Sequence, residues 1–155
     1  MEFPRVDNAL AVCRAHLDAT NTRNTEIETY LVSSILAVIY ADYEHAVKGI
    51  VATRGCPDSA DAELGNFARR AAEKLIRSIR LGELAGAAGM FSPQRKTTFQ
   101  DLVTDTPAHV AFDSIINNRH GISHELGTNM TLHDLEVAYN ASKAVLEALQ
   151  QALSL

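Results

Sequence analysis

The sequence has no tryptophan, two cysteines, four prolines and few aromatic residues, 6% of the chain. Each shortage excludes something. Cys13 and Cys56 stand far apart with no spacing partner, so they make neither a disulfide framework nor a zinc knuckle, and we expect two reduced thiols in a cytoplasmic protein. No run is apolar for long enough to span a bilayer: the longest, Leu31 to Ala41, contains Ser33 and Ser34, whereas a spanning helix needs roughly 20 apolar residues. The opening stretch "MEFPRVDNAL" lacks a basic segment followed by an apolar core, so no secretory leader is expected. Internal repeats, low-complexity tracts and long linkers are missing as well. The formal net charge of −5 argues against loose, charge-driven binding to nucleic acid, while leaving room for a local basic patch.

What is present points to one helical domain over residues 1–155. The composition is 46% hydrophobic and 21% charged, ordinary for a globular chain. A chain of 155 residues buries about two-thirds of its unfolded surface. Ala and Leu are abundant, and Gly and Pro fall mostly between periodic segments. Val6, Leu10, Cys13 and Leu17 recur at helical spacing from about Val6 to Ala19, and "ATNTRN" ends that helix. A long helix follows from "NTEIE", with Thr25 and Glu28 spaced as a capping box, and runs to about Gly55. Its centre is apolar almost all round, with Ile27, Leu31, Ile35 and Val38 as the expected main stripe. A third helix is expected from a cap at Asp58 or Ser59 to about Ile79. "RLGELAGAAGMFSPQRKTT" reads as a short helix plus loop, with a possible further turn at "FQDLV". A helix after Pro107 and a final one from Thr131 to about Leu153 complete the chain. Asp134 is expected as capping partner of the final helix, and Leu135, Ala138, Ala141, Val145 and Leu149 as its stripe. The fold class is therefore all-α, an up-and-down helical bundle of four main helices plus short helical pieces.

The densest chemistry lies in "INNRHGISHELG", Ile116 to Gly127. With Phe112, Ile115, Ile116, Ile122 and Leu126 as the buried stripe, steps of about 100° per residue place Arg119 near its centre. A buried guanidinium keeps its charge and requires a carboxylate or a bound anion. His124, five residues on, lies about 140° around the helix, pointing to solvent or a partner. His120 flanks the same groove. Gly121 costs about 1 kcal/mol in a helix relative to Ala and removes a side chain where a phosphate could approach. Arginine with histidine suits phosphodiester chemistry on RNA. The arginine holds non-bridging oxygens; a histidine titrating near about 6.5 exchanges protons with the 2′-hydroxyl or the leaving oxygen. No metal or other cofactor is required. Because one helix directs Arg119 and His124 to different sides, a second copy brought up by a two-fold axis would complete the pocket.

The same stretch resembles the signature of the HEPN superfamily, an Arg, a polar residue, three more residues and a His: Arg119, His120, Gly121, Ile122, Ser123 and His124 here. The motif sits late in an all-α chain, before "TLHDLEVAYNASKAVLEALQQAL", which is similar to that family's final helix. "YLVSSILAVIYADYEHAVKG" is similar to its long central helix, including the aromatic–Glu pair Tyr43–Glu44. The resemblance implies a metal-independent endoribonuclease, often a toxin or phage-defence effector held by an antitoxin or regulatory protein. It implies a homodimer with a composite interface site, and products ending in 2′,3′-cyclic phosphate and 5′-hydroxyl. Arg119 would hold the phosphate, His124 would be the acid–base residue, His120 would orient the site and Glu44 would brace Arg119. Periodicity offers Asp42 as the competing brace. Some HEPN domains keep the bundle without activity and serve as RNA- or protein-binding modules, which stands as the alternative.

Other features carry weaker expectations. Arg70, Lys74 and Arg77 align on one expected helix face as a track for RNA phosphates or as a solvated face, with Arg95 and Lys96 as possible additions. His120 and His124 could form half of a metal site with Glu125 and His133, although "HELGT" lacks the second histidine of a zincin. His45 is expected in the core. His16 and His109 have no evident partner. No membrane association is expected.

Overall fold

Proline opens three of the helices. The computed structural model describes residues 1–55, 61–122, 128 and 130–154, with the side chains of 120–122 excepted. These form α1 (Pro4–Thr20), α2 (Glu26–Gly55), α3 (Ala62–Leu75), α4 (Leu81–Gly89), α5 (Pro93–Val103), α6 (Pro107–Ile122) and α7 (Leu132–Ser154). Pro4, Pro93 and Pro107 each begin a helix, where the missing N–H costs nothing and the fixed φ is already helical. The described residues contain no strand, and none of their helices is long and apolar enough to cross a membrane.

Four helices alternate in direction, as cross-helix contacts show. Along α1, Arg5 pairs with Asp42 of α2. Asp7 accepts from the Tyr139 hydroxyl at 2.9 Å, and Arg14 pairs with Glu136 at 2.5 Å, so α1 and α7 run oppositely. Tyr43 stacks on Phe112 and Tyr40 meets Arg119, so α2 and α6 run oppositely too. Glu28, early in α2, reaches the start of α7, and Tyr43, further on, reaches Ser142; α2 and α7 are therefore parallel. The up-and-down bundle consists of α1, α2, α6 and α7, with α3, α4 and α5 as shorter pieces. The most extensive interface joins α6 and α7, and α3 packs mainly on α2.

The core is aliphatic around one aromatic cluster. Tyr43 is fully buried, with Phe3 at 5.1 Å, Phe112 at 5.8 Å and Tyr139 at 6.3 Å between ring centroids. Its hydroxyl lies 2.7 Å from Ser142 Oγ, satisfying a polar atom that burial would otherwise penalise. Burial pushes the ionisation of Tyr43 well above the usual tyrosine range. Tyr139 is raised too, by burial first and then by its bond to the Asp7 carboxylate.

The stripes of α1 and α7 match expectation in the main: Val6, Leu10 and Leu17 are buried, as are Leu135, Ala138, Val145 and Leu149, while Cys13 and Ala141 of the same expected stripes are half-buried. Asn21 ends α1 in the left-handed region at φ 51°, a conformation that asparagine tolerates. The stripe of α2 is rotated from the expected one. Val32, Ile35, Leu36, Ile39, Tyr43 and Val47 are buried, while Ile27 is exposed and Leu31 and Val38 are half-buried. Exposed His45 is likewise not a core residue. A helix apolar all round gives no phase to its period, and the neighbours decide it.

Capping differs in detail. Glu28 does not close a box on Thr25. Its buried carboxylate accepts from Asn24 N at 2.5 Å and from Leu132 N at 2.9 Å, clasping the α1–α2 turn to the first turn of α7. The Thr131–Asp134 box forms as expected: Thr131 N donates to Asp134 Oδ2 and Asp134 N donates to Thr131 Oγ1, each at 3.2 Å. The expected caps Asp58 and Ser59 lie outside the described residues; Asp61 caps α3, accepting from Glu63 N and Leu64 N.

Candidate active site

The C-terminal part of α6 carries the Arg–His motif. Phe112, Ile115 and Ile116 are buried as expected, which fixes the rotation of α6 against α2 and α7. Arg119 follows on the same side and is half-buried. The α2 side chain that meets it is Tyr40, itself half-buried, whose ring centroid lies 5.0 Å from the guanidinium carbon. A guanidinium over a phenol face is attracted by the ring quadrupole, roughly 0.5–2 kcal/mol depending on exposure.

The two carboxylates expected to brace Arg119 are ion-paired elsewhere among the described residues. Asp42 pairs with Arg5. Glu44 pairs with Lys48 at 2.5 Å, one turn along α2. Among the described residues the α2 side chain recorded against Arg119 is the aromatic face of Tyr40. Tyr40 precedes Glu44 by one helical turn, so the two share a side of α2. Local spacing gave no sign of Tyr40, because its partner is distant in sequence and the surrounding helix is uniformly apolar.

Asn118, just before Arg119, secures the end of α6. Its side-chain nitrogen donates to Ser114 O at 2.8 Å, and its oxygen accepts from Thr128 Oγ1 at 2.8 Å. Thr128 Oγ1 in turn accepts from Met130 N at 3.1 Å. Asn118 thus links the helix carrying Arg119 to the chain entering α7. His124, Glu125 and Leu126 lie outside the described residues. α6 continues through His120 and Gly121 to Ile122, but the side chains of His120 and Ile122 lie outside the description too.

The remaining candidates separate. Arg70 and Lys74 are exposed on α3. The helix ends at Leu75, with Ile76 extended, so Arg77 is exposed in the following segment rather than on the helix face expected to hold it. Arg95 Nη1 donates to Ala152 O at 2.7 Å, holding a carbonyl near the end of α7 rather than joining a surface track. His109 faces Asp113 at 3.3 Å, and His133 is exposed. No group of three or more His, Cys, Asp or Glu that could hold a metal occurs among the described residues.

In comparisons with known proteins, no family model matches the chain, and no curated protein or solved structure is significantly similar to it.

Proposed function

We propose that this chain is a metal-independent endoribonuclease of HEPN type, acting as a homodimer in a toxin or phage-defence role in the cytoplasm. The observation that carries the reading is the placement of Arg119. It lies at the motif's position in α6, half-buried on the Tyr40 ring, and Asn118 fastens that end of the helix. A guanidinium at that position can donate to two non-bridging phosphate oxygens of a bound strand. Charge on those oxygens grows as the 2′-oxygen attacks phosphorus, and a positioned cation stabilises that growth.

The reaction balances without a metal. The 2′-oxygen bonds to phosphorus, the bond to the 5′-oxygen breaks, and the 2′-hydroxyl proton is transferred in effect to the 5′-oxygen. The products are a 2′,3′-cyclic phosphate and a 5′-hydroxyl. His124, which can accept and give a proton near neutral pH, is the proposed acid–base residue. His120 is the proposed orienting residue, and a second copy of α6 supplies the other half of the pocket. An antitoxin or regulatory protein is the proposed restraint.

The test is cleavage of total bacterial RNA by purified protein in EDTA, with wild type beside His124→Ala and Arg119→Lys of equal oligomeric state. We expect cyclic-phosphate ends from wild type and a loss of roughly 10²- to 10⁴-fold in His124→Ala. Equal cleavage by all three proteins, or cleavage abolished by the chelator, overturns the reading. Silence of the wild type as well favours an inactive bundle that binds RNA or a protein.

A further inference from the structure

Asparagine is a poor residue for the inside of a helix, because its amide competes with the backbone for hydrogen bonds. α6 carries two in succession just before Arg119. Asn117 is exposed and Asn118 is half-buried. The Asn118 amide is committed on both sides. Its Nδ2 donates to Ser114 O, one turn back, at 2.8 Å. That bond distinguishes nitrogen from oxygen, so Oδ1 is the atom turned to Thr128, whose Oγ1 donates to it at 2.8 Å. Thr128 Oγ1 accepts in turn from Met130 N at 3.1 Å. The hydrogen bonds therefore run in one direction, from Met130 N–H through Thr128 and Asn118 to the Ser114 carbonyl, and each polarises the next.

The chain entering α7 is thereby held at two points. Thr128 is fastened to α6, and Leu132 N donates to the buried Glu28 carboxylate of α2 at 2.9 Å. Met130, between them, packs against the core. Four residues of backbone, with a reach of at most about 14 Å, thus tie the end of α6 to α2 separately from the contact between Arg119 and Tyr40.

The placement of this tie is informative. Helix ends fray, because the last carbonyls lack partners within the helix. α6 ends at Ile122, so Arg119 springs from its last turn, and Asn118 is the residue before it. The packing of the bundle has other sources: Phe112, Ile115 and Ile116 of α6 and Leu132, Leu135 and Tyr139 of α7 all belong to the common core. The polar relay acts on the one turn that those side chains leave behind.

We propose that Asn118 and Thr128 are positioning residues for the reaction assigned to Arg119, a role that rests on that proposed function. Their hydrogen bond holds the last turn of α6 to the chain entering α7 and so keeps the guanidinium on the Tyr40 ring, 5.0 Å from its centroid. Neither residue touches the reacting atoms. An arginine ordered on folding needs no ordering when the strand arrives, so the benefit falls on the step in which charge grows on the phosphate.

The test is cleavage of a defined oligonucleotide in EDTA by the full chain. Thr128→Val removes the hydroxyl at nearly constant shape, Thr128→Ser keeps it, and Asn118→Ala removes the other partner. Thr128→Val is also combined with Tyr40→Leu. Circular dichroism and a thermal melt show which variants are folded at the assay temperature; if Asn118→Ala is not, the two Thr128 variants decide. We expect Thr128→Val and Asn118→Ala each to lower kcat about fivefold or more with little change in KM, and Thr128→Ser to restore most of it. In the Tyr40→Leu background the Val substitution should cost less than about twofold further, because residues that act through one another are not additive. A second readout needs no cleavage. The Tyr40 ring shifts the proton resonances of the Arg119 side chain, and Thr128→Val should move them towards their positions in Tyr40→Leu. Unmoved resonances overturn the proposal, as does an equal loss in the Val and Ser variants or a fully additive loss with Tyr40→Leu. Wild type and both clasp variants cleaving equally well overturns this role and leaves the function standing. A silent wild type overturns the function and this role with it.

Discussion

The Arg119 guanidinium sits over the ring of Tyr40, 5.0 Å from its centroid, so α2 seats the motif's arginine on an aromatic face. For the proposed reaction this makes Tyr40 a positioning residue. Tyr40→Phe keeps the face, whereas Tyr40→Leu removes it and should lower kcat several-fold to tenfold below that of Tyr40→Phe, as expected for about 1 kcal/mol of cation–π attraction. The KM–kcat split on a defined oligonucleotide checks it. A Phe variant as impaired as the Leu variant would assign the effect to the hydroxyl.

Glu28 is a buried carboxylate shared by Asn24 N and Leu132 N. Glu28→Ala leaves two N–H groups without their acceptor and should cost about 2–3 kcal/mol in urea denaturation. Glu28→Gln keeps an acceptor oxygen and should cost less. Equal losses in the two variants would mean that the hydrogen bonds matter less than the volume.

Tyr43 and Tyr139 ionise above their ordinary value in the folded protein. The unfolded chain releases these protons near about pH 10 while the folded chain retains them. Their contribution is therefore fully present below about pH 10 and lost as the pH rises towards the folded values. Denaturation curves from about pH 8 to pH 11 should show stability falling at the alkaline end, and Tyr43→Phe should flatten that fall. An unchanged slope in the variant would exclude Tyr43 as a contributor.

Thr131 and Asp134 close the first turn of α7. Thr131→Ala should cost about 1 kcal/mol. The Thr131 side chain and backbone bonds hold the Asp134 carboxyl below its usual range. Its small contribution is thus present above about pH 4 and lost as the pH falls through the lower folded value. Melting temperatures of wild type and variant should converge in acid; a constant gap would count against the carboxylate's part in the cap.

Legibility in the sequence tracked how one-sided each helix is. α1 and α7 have clear polar faces, and their buried residues were readable from spacing. α2 does not, so its buried stripe came out rotated, and Asp42, expected on that stripe, is the ion-pair partner of Arg5 instead. The end of α3 was overrun because Ile76 and Ile79, both buried, continue a helical spacing that an extended segment also satisfies. The Arg–His motif was visible as residues, but the Tyr40 seat was not, since it joins two helices far apart in the chain. Arg95 read as a surface cation because nothing local announces a bond to Ala152.

α2 is one unbroken helix from Glu26 to Gly55, and it carries Tyr40 and Val51 on the same shaft. It therefore acts as a ruler. The axial offset between the arginine's seat and Val51, which lines an open groove between α2, α3 and α4, is fixed at about 16 Å. A molecule reaching both places must be at least that long, and a shorter one must choose between them.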